Sequence, residues 1–226
     1  MESQTKQPEE RGSRCRRAYL AGELCTLFVA VPLLLYVYRH HVGRMVVPTI
    51  LLVVVPCLAL LLTDPTFDRR RLWNTEELWP RLRRTLVFFL PAALALALVY
   101  ALFEPERLFA FPRRNPGFWL VVMALYPLVS VYPQELIFRT FLFHRYRALV
   151  PSTNAMILLS GVLFGLAHLF FDNWIAPVLS TAGGILFART YARTGSTLQA
   201  SLEHGLWGDF LFTLGIGWYF YGGSIQ

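Results

Sequence analysis

Apolar runs alternate along the chain with short polar gaps, and most are about as long as the 20 or so residues a helix needs to cross a hydrocarbon core. Spans are expected at 18–38, 45–63, 85–103, 117–133, 152–171, 174–188 and 197–221. The pattern predicts an all-α, polytopic transmembrane helical bundle of about seven spans and up to eight helices. Residues 1–17 read as a disordered basic tail on the cytoplasmic side, 18–116 as an N-terminal set of transmembrane helices, and 117–226 as a second set. Pro91 is tolerable where neighbouring helices re-satisfy the freed backbone, and Pro133 is expected to kink the fourth span. The longest polar gap, 64–84, reads as a membrane-surface loop, with Trp73 and Trp79 at headgroup level.

Composition strengthens the membrane reading. Of 226 residues, 55% are hydrophobic and only 15% charged, against about 25% charged in an average soluble domain. Lys6 is the single lysine, and the arginines gather in the gaps between apolar runs. The net charge of +7 therefore reads as a topology signal that places the N-terminus in the cytoplasm and, with seven spans, the C-terminus outside. A bacterial cell membrane is the expected setting. No basic stripe with interleaved aromatics occurs, so nucleic acid is not an expected partner. Cys15, Cys25 and Cys57 have neither metal-site spacing nor the look of a disulfide framework. The first apolar run lacks a small-residue cleavage site, which favours a retained span. Glu23, near its start, reads as an interfacial glutamate. Arg39, His40, His41 and Arg44 form a solvated connection.

Against this background the polar residues inside the later spans stand out, because an ionisable group within a bilayer is costly unless it faces a protein interior or a wet cavity. Gln134, Glu135 and Arg139 follow the fourth run, and Glu135 and Arg139 are four apart, on one helix face. The fifth span carries small residues and then His168, with Phe164 one turn before it. The seventh carries His204 and Asp209. A carboxylate beside a histidine in a low-dielectric pocket can act as general base on water, while a second histidine serves the oxyanion of a tetrahedral intermediate. Glu135, His168 and His204 could instead form a zinc site with an open position for water. No His-Glu-x-x-His run is present, and the sequence does not decide between the two.

Gln134-Glu135-Leu136-Ile137-Phe138-Arg139, Phe164-Gly165-Leu166-Ala167-His168, Arg193-Thr194-Gly195-Ser196 and His204 resemble the motifs of the CPBP group of intramembrane endopeptidases, also called the ABI or CAAX-prenyl-endopeptidase-like family. The resemblance covers about residues 117–212 and makes 117–226 a protease-like transmembrane core. It implies cleavage of a membrane-embedded or lipid-anchored peptide near its terminus. Two positions depart from the family pattern. Gln134 stands where the family has its water-activating glutamate, and Gly208 stands where it has an asparagine.

The expectation taken forward is an active endopeptidase. In it Glu135, helped by Gln134, activates water with His168 as partner, Arg139 fixes the carboxylate, and His204 with Asp209 stabilises the oxyanion. One competing reading is a non-catalytic membrane binding or immunity-type protein that keeps the pocket without the chemistry. Another is a small transporter using Glu135 and the histidines as a proton relay.

Overall fold

The computed structural model describes residues 3–42 and 45–220, with side chains at 12–41 and 45–220. Lys6, Arg11 and Arg44 of the expected basic segments, and the end of the seventh expected span beyond 220, lie outside the described residues or side chains. Every regular element among the described residues is helical. The first, α1 (Ser3–Cys25), passes through a π-helical turn at Thr26–Ala30 into α2 (Val31–Val37). The expected disordered tail is therefore helical from Ser3. A helix already nucleated in a span extends at one backbone hydrogen bond per added residue, which allows a polar run to continue it.

A short α3 (Arg39–Val42) leads to α4 (Val46–Thr63), and the chain then crosses the expected surface loop with a 3-10 turn at Arg69–Leu72. The next helix, α5 (Leu78–Phe103), begins at Leu78, not at 85, and its first turns include the Arg81–Glu77 ion pair at 2.8 Å. After α6 (Ala110–Arg114), three helices join end to end through π-helical turns at Pro127–Val131 and Leu136–Phe141. They are α7 (Pro116–Tyr126), α8 (Tyr132–Glu135) and α9 (Leu142–Arg145). The result is one rod, Pro116–Arg145, longer than the expected span because the helix runs on through the polar residues. Next come α10 (Thr153–Ala167) with a 3-10 turn at His168–Phe171, α11 (Ile175–Thr194), and α12 (Thr197–Leu214) with a 3-10 turn at Ile216–Phe220.

Among the described residues, five helical stretches are long and apolar enough to cross a membrane: Gly12–Val37, Val46–Thr63, Leu78–Phe103, Pro116–Arg145 and Thr153–Phe171. The sixth and seventh expected spans exist as α11 and α12. Their small and polar residues, including Arg189, Arg193, Glu203 and Asp209, leave them less apolar. Phe88 and Leu102 on α5 are 77% and 80% exposed, as suits a face turned to lipid.

Helix starts follow ordinary capping chemistry. Asn115, Ser152 and Ser196 each accept a backbone N–H from the first turn of α7, α10 and α12. Ser196 also donates to the Asn74 carbonyl at 2.6 Å, which ties the surface loop to α12. The main core lies where α4, the rod and α10 meet, around Leu61, Phe141, Leu142, Tyr146 and Met156. There Glu23 accepts both Arg145 Nε and Nη2 at 2.9 Å and the Tyr146 hydroxyl at 2.9 Å. Glu23 thus ties its helix to the end of the rod.

Glycines bring α10 and α11 close together. A Cβ at Gly161 would stand 2.9 Å from the Ile185 backbone nitrogen, and one at Gly184 would stand 3.0 Å from Gly161 Cα. Backbone-to-backbone packing of α10 on α11 follows, as small residues allow between membrane helices. It sets the Gly184 carbonyl where the rod can reach it.

Candidate functional site

The rod presents its polar residues at the junction of α8 with the π-helical turn Leu136–Phe141. Such one-residue widenings of a helix recur at functional sites. Glu135 and Arg139 are both 0% exposed. Arg139 Nε stands 3.1 Å from Glu135 Oε2 in an ion pair whose N–H is not aligned for a hydrogen bond. Arg139 Nη2 donates to the Gly184 carbonyl at 3.2 Å, and the guanidinium lies over the rings of Phe164 at 4.5 Å and Phe187 at 5.6 Å. Burying these ions requires this degree of compensation, since an unpaired charge there costs several kcal/mol, about the price of desolvating one ion.

The second oxygen, Glu135 Oε1, lies 2.9 Å from His204 Nδ1. A carboxylate only accepts, so Nδ1 carries the proton. The single guanidinium already balances the single carboxylate, which leaves the imidazole neutral and Nε2 an acceptor. The Tyr126 hydroxyl approaches that Nε2 at 3.3 Å and is placed to donate to it. Phe187 stacks on the imidazole at 4.5 Å and 14°, and Phe164 meets it edge-on at 5.5 Å. Arg139, Glu135, His204 and Tyr126 therefore form one polar chain across the rod, α12 and back to the rod.

The imidazole partner of Glu135 is His204. His168, expected in that place, donates from Nδ1 to the Phe164 carbonyl of its own helix at 2.7 Å and packs on the Phe164 ring at 4.5 Å. It turns instead to a cavity of about 250 Å³. The cavity is lined by α5 at Leu96, α11 at Leu179 and Leu186, and α12 at Trp207 and Leu211, with Phe220 beyond. Its polar lining comes from Tyr126, Gln134, Ser180, His168 and His204. Gln134, 8% exposed, faces this cavity, and its Nε2 donates to Ser130 Oγ at 2.7 Å. Glu135 is not part of the lining. Adjacent residues on a helix differ by about 100°, and here the amide takes the cavity side and the acid the packed side.

Gly208 also reaches the cavity, and the space beside it is filled by Tyr126. A Cβ at Gly208 would fall 2.5 Å from the Tyr126 hydroxyl oxygen. Asp209 is not in the lining, and its buried Oδ1 has no hydrogen-bond partner among the described residues. Zinc does not fit the expected set. Both Glu135 oxygens face Arg139 and His204, and the two His204 nitrogens already meet Glu135 and the Tyr126 hydroxyl. No group of three or more His, Cys, Asp or Glu gathers as a metal site among the described residues.

Sequence reasoning missed Tyr126, Ser180, Phe187 and Trp207. The aromatic ones are ordinary apolar-span residues by sequence. The only local signal for Tyr126 was its place one turn before Ser130, itself one turn before Gln134, on a face that turns out to be polar.

Residues 116–220 match a family model described as type II CAAX prenyl endopeptidase Rce1-like. No curated protein and no solved structure matches the chain.

Proposed function

Because residues 116–220 form a domain of the type II CAAX prenyl endopeptidase Rce1-like family, we propose that the cavity receives a membrane-embedded or lipid-anchored peptide and holds it without hydrolysing it at Glu135. One observation carries this reading: the side chain facing the cavity is the Gln134 amide, while Glu135 has no exposure and both its oxygens face fixed partners. An amide cannot take a proton from water at neutral pH. A general base must lie within hydrogen-bond reach of the water it activates. The apolar walls with a few convergent polar groups are those of a ligand site. The protein is then a binding member of an endopeptidase family, with the lipid bilayer as its medium.

A second reading is favoured by the Glu135 Oε1 to His204 Nδ1 contact of 2.9 Å. A carboxylate that orients an imidazole leaves Nε2 as a candidate base, as in nucleophile–base–orienter arrangements. In that reading the domain is an endopeptidase whose base is His204, not Glu135.

The two separate in liposomes containing a lipid-anchored fluorogenic peptide. The binding reading expects the wild-type protein to retain the peptide without cleaving it, and Gln134→Glu to gain cleavage of the order of 10²–10⁴-fold, the usual contribution of a positioned general base. Wild-type turnover that is abolished by His204→Gln and indifferent to Gln134→Glu would establish the second reading and end the first.

A further inference from the structure

The polar end of the cavity is lined by groups whose hydrogen bonds can be counted. His204 has none to spare: Glu135 occupies Nδ1 and the Tyr126 hydroxyl lies at Nε2. Arg139 is sealed off, fully buried beneath the rings of Phe164 and Phe187. His168 has one nitrogen left. Its Nδ1 stands 2.7 Å from the Phe164 carbonyl, which can only accept, so the ring proton is on Nδ1. Among the described residues no carboxylate pairs with this ring, and the rings of Phe164, Phe171 and Phe220 lie around it at 4.5, 5.7 and 5.9 Å. A neutral imidazole follows, with the Nε2 lone pair unused by the protein. Gln134 Nε2 donates one of its two hydrogens to Ser130 Oγ, which leaves its second N–H and its Oε1 for a ligand, and the Ser180 hydroxyl lines the same cavity.

One atom that can only accept, His168 Nε2, therefore stands among uncharged polar groups in a mostly apolar cavity, and among the described residues neither an accessible cation nor an accessible anion lines it. From this we infer that the ligand head is an uncharged hydrogen-bond donor, a hydroxyl or a primary amide on an apolar tail, seated with its O–H or N–H on His168 Nε2. A carboxylate head is disfavoured because it would be desolvated with no accessible cation to pair it. An ammonium head would enter a site with no accessible anion. The inference rests on the cavity being the ligand site, as proposed above, and adds the chemistry of the head.

The test uses the whole protein in nanodiscs and equilibrium binding of radiolabelled octanol, octyl methyl ether and octanoate, with protein-free nanodiscs subtracted. One hydrogen bond of ordinary net strength predicts that octanol binds about threefold to tenfold more tightly than the ether. Octanoate is expected to be weakest, and the preference for octanol over the ether should vanish in His168→Phe. Equal binding of alcohol and ether, or tightest binding of octanoate, overturns the inference and leaves the cavity as a ligand site. Binding of none of the three overturns both. Because the series is read first on the wild-type protein, a His168→Phe chain that fails to fold does not decide the outcome.

Discussion

Glu135 Oε1 lies 2.9 Å from His204 Nδ1, and this contact joins the central rod to α12 inside the apolar interior. With Oε2 against Arg139, the carboxylate holds a cation and an imidazole from opposite sides. Removing the charge strands the Arg139 guanidinium, whose Nη1 already lacks a partner among the described residues. Breaking one side of a buried ion pair costs about 3–5 kcal/mol, whereas replacing the whole pair by apolar groups can be neutral. Glu135→Gln should therefore lower the unfolding midpoint in detergent sharply, and Glu135→Leu combined with Arg139→Met should recover much of the loss. If Glu135→Gln unfolds like the wild type, the carboxylate is not the structural tie described here.

Tyr126 and Gly208 compete for one volume. The tyrosine hydroxyl sits 2.5 Å from where a Cβ at position 208 would stand, and its ring edge is closer still. Gly208→Asn should therefore destabilise by about 1–3 kcal/mol through overpacking, and less in a Tyr126→Ala background. Tyr126→Phe keeps the volume and removes only the hydroxyl near His204 Nε2, a loss of about 1 kcal/mol for a buried hydrogen bond. A double-mutant cycle on chemical unfolding reads the coupling directly. Simple additivity of Gly208→Asn and Tyr126→Ala would show that the two do not share the space.

Much of this could be read from the chain, and the reasons are local. Helical spans follow from apolar run length, and Glu135 with Arg139 follows from i,i+4 spacing, which the ion pair bears out. Which histidine meets the acid could not be read, because it depends on how α10, with the 3-10 turn that carries His168, and α12, with His204 inside it, pack against the rod. That packing includes close contacts between separate helices, such as Gly161 of α10 on Gly184 of α11. The division between Gln134 and Glu135 has the same origin. Adjacent residues lie on different faces, but only the packed neighbours decide which face is wet. Tyr126 was illegible for a further reason: an aromatic in an apolar span looks like lipid-facing bulk until a glycine across the interface makes room for it.

Beyond the end of α4, Asp64 sits at the surface with three acceptor contacts. His144 Nε2 is 2.9 Å from Oδ2, and the Thr66 hydroxyl and backbone N–H reach Oδ1 at 2.7 and 2.9 Å. The hydrogen bond from His144, followed by those from Thr66, holds the Asp64 carboxyl below the usual carboxylate range. The folded state therefore binds fewer protons than the unfolded state in acid. The stability this supplies is complete above the unfolded value of about 4 and is lost as pH falls below it toward the depressed folded value. Unfolding midpoints measured from neutral pH down to about pH 3 should fall more steeply for the wild type than for Asp64→Asn, which has no carboxyl to protonate. The difference should open only below about pH 4, since at higher pH the group is ionised in both states. Parallel curves for the two proteins would show that these hydrogen bonds do not persist in the folded protein.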